Sequence, residues 1–141
     1  MNAKMNLKNW VLILFSAVLL LPASNALAEE HPAIEPMQDY FDFVPFSGGA
    51  ITQQQLVNFD QNTVQYIDTR QKDRFDASHI KGAINIEWRE VLARRDDVSK
   101  SKIVVLYCDT GILSSKAHLA LSVIGYENVR VLFGGYDAWN K

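Results

Sequence analysis

The chain has 141 residues, of which 48% are hydrophobic and 21% charged, and its formal net charge is −2. This balance leaves no basic surface of the kind that nucleic-acid binding needs, so nucleic acid is excluded as an expected partner. The length allows one small domain with a single core. Cys108 is the only cysteine, which excludes a disulfide within the chain.

Residues 1–28 have the pattern of a secretory signal peptide. Two lysines precede an uncharged apolar run over residues 10–21, and Ala26-Leu27-Ala28 has the small-x-small form of a signal-peptidase site. The apolar run is shorter than the ~20 residues that span a membrane. We therefore predict cleavage before Glu29, a periplasmic or secreted protein, and no stable membrane insertion. An uncleaved membrane anchor is the alternative.

The segment 29–51 is predicted to be an N-terminal linker, because it holds three prolines and shows no sustained hydrophobic period. We expect its aromatic side chains to pack across the domain; they are Tyr40, Phe41, Phe43 and Phe46. Thr52 and Gln55 then have the spacing of a capping box, which predicts a short helix over 53–59 that buries Leu56 and Phe59.

Strands and helices are predicted to alternate through the rest of the chain. They are a strand at 64–68, a helical turn at 70–78, a strand at 83–86, an amphipathic helix at 88–95, a strand at 103–107, a helix at 115–124, a strand at 129–133 and the start of a helix at 136–139. The continuous apolar run at 103–107 is typical of a parallel strand that is covered on both faces. The alternation predicts an α/β fold with a central parallel β-sheet flanked by α-helices.

Cys108 follows the strand 103–107 and precedes Gly111 and a predicted helix, which Ser114 or Ser115 is expected to cap. Ligands of open α/β sheets bind beyond the carboxyl ends of the strands. Loop N–H groups and the positive end of a helix dipole stabilise an anion at such a place, so Cys108 is a candidate nucleophilic thiolate. A buried and inert cysteine is the alternative, and the spacing alone leaves both open.

Three groups of residues follow one another in a characteristic order. They are Ile67-Asp68-Thr69-Arg70 with Phe75 and residues 79–86, then Tyr107-Cys108-x-x-Gly111-x-x-Ser114, and then Gly125-Tyr126 with Val129, Leu132, Gly134-Gly135 and Trp139. Together they resemble the rhodanese-like domain family, and the resemblance covers residues 52–141. It implies a rhodanese-like domain there, with a central parallel sheet flanked by helices.

The resemblance implies a sulfurtransferase and no cofactor or metal. Cys108 would take a sulfane sulfur from thiosulfate, or from a persulfide or another thiol-bound donor, and pass it to a thiol or to cyanide. A protein can also be the acceptor. The expected substrate-binding residues are those of the loop: Asp109, Thr110, Gly111, Ile112, Leu113 and Ser114. A non-catalytic rhodanese-like binding or sensor module of the periplasm is the alternative.

Two loop residues depart from the family's pattern. Leu113 stands where loops that use thiosulfate commonly carry arginine, and Asp109 adds a negative charge where an anionic donor approaches. Both favour a neutral or thiol-bound sulfur donor over thiosulfate. Because no arginine occurs between Arg95 and Arg130, the Cys-x5-Arg loop of a protein phosphatase is excluded.

Three further polar residues are interpreted as structural. His79 lies in the segment that leads into a strand, so we expect it to form a structural hydrogen bond rather than to act as a base for Cys108. Asp68 ends a predicted strand and is expected to bind neighbouring backbone or Arg70.

Overall fold

Five parallel strands form one sheet at the centre of the computed structural model, which describes residues 31–139. The strands are β1 (Ala50–Ile51), β2 (Val64–Asp68), β3 (Ile84–Asn85), β4 (Ile103–Tyr107) and β5 (Val129–Leu132). Their spatial order is β1-β5-β4-β2-β3, and each pair of neighbours is parallel. The predicted fold class is confirmed. The predicted signal peptide lies outside the described residues.

Helices connect and flank these strands. They are α1 (Ile34–Phe43), α2 (Gln53–Leu56), α3 (Lys72–Ala77), α4 (Ile112–Val123) and α5 (Gly135–Ala138), with short 3-10 helices at Gln61–Thr63 and Arg95–Asp97. Within residues 31–139, none of the helices has the length and apolar character needed to cross a membrane.

The central strand β4 is covered on both faces, as its apolar run predicts. Val104 and Leu106 belong to one hydrophobic cluster, and Val105 and Tyr107 belong to the other. All four are completely buried, and each such apolar side chain contributes about 1.5–3 kcal/mol relative to an exposed one. The end of β4 is therefore held rigidly in the middle of the sheet, and Cys108 follows directly.

Helix α4 begins three residues earlier than the apolar spacing predicts. Gly111 precedes its first residue with a φ of 103°, a left-handed conformation that lets the chain turn from β4 into the helix at once. Ser114 and Ser115 consequently lie within the first turn. Their hydroxyls donate to the Gly111 carbonyl, at 3.0 and 2.8 Å, so the predicted cap at either serine is wrong.

The amphipathic helix predicted at 88–95 is not present. The segment consists of consecutive turns followed by the 3-10 helix Arg95–Asp97. Its two adjacent apolar residues differ in burial, since Val91 is buried whereas Leu92 is 44% exposed. Eight residues form a stable helix only with strong tertiary support. The segment has turn bonds instead, such as that from the Glu90 N–H to Glu87 O, and the Trp88 N–H ties its start to Thr69 O after β2.

The segment predicted to be a linker contains the ten-residue helix α1. Pro36 does not prevent this helix, because it lies in the first turn, where no intrahelical N–H bond is needed. The expected aromatic packing is wrong for Phe41, Phe43 and Phe46, which are 58, 83 and 109% exposed. Tyr40 alone of the four is partly buried, with its ring edge toward His118 in α4 at 6.4 Å between ring centroids.

Helix α2 is shorter than the predicted range 53–59. The capping box is present as predicted: the Gln55 N–H donates to Thr52 Oγ1 at 3.2 Å, and the Thr52 N–H donates to Gln55 Oε1 at 2.8 Å. Leu56 is buried, but Phe59 is 39% exposed because the helix has ended before it.

Candidate active site

The Cys108 sulfur lies at the centre of the loop between β4 and α4. The Gly111 N–H donates to Sγ at 3.2 Å and the Leu113 N–H at 3.3 Å, while Ser114 Oγ lies 3.7 Å away. The cysteine is a free thiol and only 2% exposed. Two backbone donors directed at one sulfur atom are suited to hold negative charge on it.

The start of α4 supplies this arrangement. Leu113 is the second residue of a twelve-residue helix, so its N–H is one of the groups that an α-helix leaves without an intrahelical partner. The positive end of the helix dipole acts in the same direction on Sγ. Backbone N–H groups and the N-terminus of α4 therefore both face Sγ.

The six predicted binding residues divide into two groups. Gly111, Leu113 and Ser114 surround the sulfur through the contacts described above. The others, Asp109, Thr110 and Ile112, form the outer part of the loop: Thr110 is exposed, Ile112 is 68% exposed and the Asp109 side chain is 35% exposed.

The Asp109 carboxylate forms ion pairs with two arginines. Its Oδ1 accepts from Arg70 Nη1 at 3.1 Å and from Arg74 Nη2 at 3.0 Å. Partial burial by itself would raise the pKa of Asp109, but hydrogen bonds and charge from Arg74 and Arg70 outweigh that effect and lower the pKa. The repulsion of an anionic donor that the sequence predicts at this residue is therefore largely compensated.

Asp68 and Arg70 form a buried ion pair that contacts the Cys108 loop through Asp109. Arg70 Nε donates to Asp68 Oδ1 at 2.9 Å, Arg70 Nη2 to Oδ2 at 2.6 Å, and the Arg70 N–H to Oδ1 at 3.0 Å. Hydrogen bonding to Asp68 outweighs desolvation and raises the pKa of Arg70. The structural interpretation of this pair is confirmed.

His79 makes a local structural contact, in agreement with its interpretation. Its Nδ1 lies 2.8 Å from Phe75 O, and its ring stacks on the Phe75 ring at 4.0 Å between centroids.

The comparison with known families decides the identity of the domain. The model of the rhodanese-like domain family matches residues 52–141. The chain belongs to the rhodanese-like domain family.

Individual relatives agree with this assignment. YqhL of Bacillus subtilis, described as an uncharacterized protein, is 33% identical over 53% of this chain and 60% of its own length. The thiosulfate sulfurtransferase GlpE of Haemophilus influenzae is 32% identical over 63% of this chain and 85% of its own length. A crystal structure of a rhodanese-related protein from Thermoplasma volcanium shares the fold, with a TM-score of 0.58 at 23% identity over 64% of this chain and 88% of that one. At the level of the family, the similarity to GlpE supports a rhodanese-type sulfurtransferase.

The Cys108 loop of this rhodanese-like domain packs against α5. The Tyr136 N–H donates to Cys108 O at 2.8 Å and the Asp137 N–H to Asp109 O at 2.9 Å. A Cβ atom on Gly135 would lie 2.5 Å from Cys108 O and 2.6 Å from the Asp109 carbonyl carbon. The loop backbone therefore reaches its place only because residue 135 has no side chain.

In the sequence analysis, Gly134-Gly135 serves only as part of the family resemblance, and this support is missed. The signal that could have found it is the pair of glycines directly before an aromatic residue, which permits close backbone approach. Tyr136 adds a second contact, because the Arg70 guanidinium carbon lies 4.5 Å from its ring centroid. In the described part of the chain, the side chains form no cluster suited to hold a metal ion.

Proposed function

We propose that the chain is a sulfurtransferase that carries a sulfane sulfur as a persulfide on Cys108. The observation that supports this most strongly is the convergence of the Gly111 and Leu113 N–H groups on Sγ, at 3.2 and 3.3 Å. Sulfur transfer by a cysteine needs a stabilised thiolate before the transfer and a stabilised persulfide anion after it. Preformed backbone donors serve both states without reorganisation.

In the first half-reaction, the Cys108 thiolate attacks the outer sulfur of the donor. With thiosulfate, a bond forms between Sγ and the sulfane sulfur, the sulfur–sulfur bond of thiosulfate breaks, and sulfite leaves with the electron pair. The product is a Cys108 persulfide anion. The total charge is the same on both sides, and the loop N–H groups hold the negative charge throughout.

In the second half-reaction, an acceptor removes the outer sulfur. A thiolate or cyanide attacks that sulfur, the bond to Sγ breaks, and the electron pair returns to Cys108 as thiolate. The acceptor leaves as a persulfide or as thiocyanate. The resting state of the loop is thereby restored, and no external oxidant or reductant is consumed.

The donor that we propose is neutral or thiol-bound rather than thiosulfate. Leu113 supplies only its N–H where an arginine side chain would add a charge-assisted contact of about 1.5–3 kcal/mol. Arg70 and Arg74 come near the loop, but both are bound to Asp109. These ion pairs reduce their value as binding groups for a second anion.

We also propose that the domain acts outside the cytoplasm, in the periplasm or as a secreted protein. The support is the signal-peptide pattern of residues 1–28. The prediction is that the mature chain begins at Glu29. Mass spectrometry of the N-terminal peptide from fractionated cells tests this, and a full-length N-terminus in the membrane fraction would show an uncleaved anchor instead.

The test of the sulfurtransferase is the formation of thiocyanate from cyanide with a thiol-bound persulfide as the donor, and with thiosulfate as a second donor. We expect steady turnover by the native chain and none by Cys108→Ser, while Ser122→Ala, which changes a hydroxyl in the last turn of α4, retains activity. A folded protein with a free thiol that forms no thiocyanate would contradict the proposal. It would favour a binding module instead.

A further inference from the structure

The exposed side chain of Lys116 in α4 lies over the ring of Trp88. Its Nζ is 4.8 Å from the ring centroid, and the guanidinium carbon of Arg89 is 4.5 Å from the same centroid. Cations at these distances are attracted to an aromatic face, so the ring restricts where the Lys116 ammonium group lies. Trp88 is itself partly buried against the hydrophobic cluster that contains Ala117 of α4. The ammonium group therefore has a defined place on the fold.

Hydrogen bonds place Trp88 at the end of the sheet where the Cys108 loop lies. The Trp88 N–H donates to Thr69 O at 3.1 Å, and the Thr69 N–H donates to Tyr107 O at 2.8 Å. Thr69 follows β2, and Tyr107 ends β4 immediately before Cys108. Two successive hydrogen bonds thus connect Trp88 to the residue that precedes the candidate nucleophile.

The helix brings Lys116 to the same place from the other direction. Lys116 follows Leu113 by three residues, and the Leu113 N–H donates to Sγ at 3.3 Å. Residues three apart share one side of a helix, and helical side chains lean toward the N-terminus. The rise between the two residues is about 4.5 Å. The ammonium group of Lys116 therefore lies beside the Cys108 loop, about one helical turn from an N–H that binds the sulfur.

The charge of Lys116 is not neutralised by a carboxylate. Within residues 31–139, Lys116 forms no ion pair, whereas Arg89 is bound to Glu87 at 2.7 Å. The two arginines near the loop are both bound to Asp109. Lys116 is consequently the positive group beside the loop that has its full charge to offer to an anion.

We propose that Lys116 determines donor specificity by binding a carboxylate of the sulfur donor, which is a small thiol persulfide that carries an acid group. This inference rests on the proposed sulfurtransferase function and names the class of its donor. Thiosulfate fits less well, because its sulfonate is only one sulfur–sulfur bond, about 2 Å, from the sulfur that is transferred. A carboxylate several bonds from the reacting sulfur spans the helical turn between Sγ and Lys116.

The transfer from such a donor needs no further reactant. The Cys108 thiolate attacks the outer sulfur of the donor persulfide, a bond forms between Sγ and that sulfur, and the sulfur–sulfur bond of the donor breaks. The electron pair leaves with the donor thiolate, which takes up the proton of the transferred sulfur. Cys108 is left as a persulfide anion. Contact between Lys116 and the donor carboxylate holds the donor in place for this attack.

The experiment measures the initial rate at which the reduced chain gains one sulfur atom, by intact-mass spectrometry. The two donors are the persulfides of N-acetylcysteine and of N-acetylcysteine amide, in which a neutral amide replaces the carboxylate. We expect the acid to react about threefold faster than the amide at low ionic strength, which is the size of effect that an exposed ion pair produces. High salt should remove this preference.

Lys116→Gln should lower the acid-to-amide rate ratio toward one, and Lys116→Arg, which keeps the charge, should retain most of the preference. Lys102→Gln is the matched control for the loss of one positive charge. Lys102 directly precedes β4 and lies at the amino end of that strand, whereas Cys108 follows the carboxyl end. This variant should leave the ratio unchanged.

Equal rates with the two donors in the native chain, or a preference that survives in Lys116→Gln, would overturn the inference while the gain of sulfur left the sulfurtransferase standing. A gain from thiosulfate alone would overturn it in the same way. If a folded chain with a free thiol gains sulfur from none of the three donors, the proposed function itself fails, and this inference fails with it.

Discussion

Asp109 binds two guanidinium groups through a single carboxylate oxygen, at 3.1 Å from Arg70 and 3.0 Å from Arg74. The residue directly after Cys108 therefore carries a charge that is neutralised within the site. Arg74 is the more exposed of the two partners, with 59% of its side chain accessible. If the negative charge of Asp109 is removed, the positive charge of Arg74 becomes available to a ligand.

Asp109→Asn should make Cys108 more reactive toward anions. The test compares alkylation of the thiol by iodoacetate and by neutral iodoacetamide, which needs no assumption about function. Because two unit charges 4 Å apart interact by about 1 kcal/mol in water, removing this negative charge should raise the iodoacetate-to-iodoacetamide rate ratio by no more than about fivefold. The rise should disappear at high ionic strength.

Asp96→Asn is the matched control for this charge change. Asp96 lies in the 3-10 helix Arg95–Asp97. The carbonyl of the neighbouring Asp97 accepts from Gln65 near the start of β2, so this helix lies at the amino ends of the strands, whereas Cys108 follows the carboxyl end of β4. It should leave the ratio unchanged. A ratio equal in all three proteins would show that Arg74 does not act at the sulfur.

The same ion pairs predict how stability depends on pH. The pKa of Asp109 is lowered in the folded chain, so the stability gained from its ion pairs is complete above the usual carboxyl pKa of about 3.9 and is lost as pH falls through the lower folded value. The difference in Tm between the native chain and Asp109→Asn should be constant above about pH 5 and vanish in stronger acid. A difference that grows on acidification would contradict this.

At the level of residues, the sequence places the candidate nucleophile but not its surroundings. Cys108 could be selected because it follows an apolar strand and precedes a glycine and a helix. The pairing of Asp109 with Arg74 could not be predicted, since 35 positions separate the two residues and only the packing of α3 beside the loop joins them. Charges along a sequence therefore do not give the charge balance of the site.

At the level of elements, the Cys108 loop depends on the close approach of α5. Gly135 provides it, with a φ of 61° and loop carbonyl groups where a Cβ would be. Gly48 has nearly the same φ, 60°, but no atom within 4 Å of its Cβ position. The two glycines thus separate the effect of backbone conformation from that of crowding.

We expect Gly48→Ala to lower the free energy of unfolding by about 1–2 kcal/mol, the usual cost of a left-handed conformation with a side chain. Gly135→Ala should cost at least about 2 kcal/mol more, because the loop carbonyls must move, and it should also disrupt the donors to Sγ. Denaturant titration of both variants measures the difference. Equal losses would show that the loop tolerates a side chain at 135.

The positions of element ends were the least predictable feature. Helix α4 begins at Ile112 rather than Ser115 because Gly111 turns the chain at once, a property of its backbone that apolar spacing does not record. The segment 88–95 has helical spacing but forms turns, because so short a stretch is not a stable helix by itself. Apolar spacing records neither effect.

At the scale of the whole molecule, the fold was predictable because the strongest local signals coincide with the sheet. The run at β4 is apolar throughout and is buried on both faces, as a central parallel strand must be. Helix α1 was missed because its prolines and exposed aromatic residues resemble a linker in composition. Its packing against α4 is a tertiary contact that composition does not reveal.

The central claim is that Cys108 carries the transferred sulfur, and intact-mass spectrometry tests it most directly. A chain comprising residues 29–141 is incubated with polysulfide, thiosulfate and a thiol-bound persulfide in turn. The account predicts a gain of one sulfur atom with at least one donor, which cyanide removes and which is absent in Cys108→Ser. A folded chain with a free thiol that gains no sulfur from any of these donors would contradict the account.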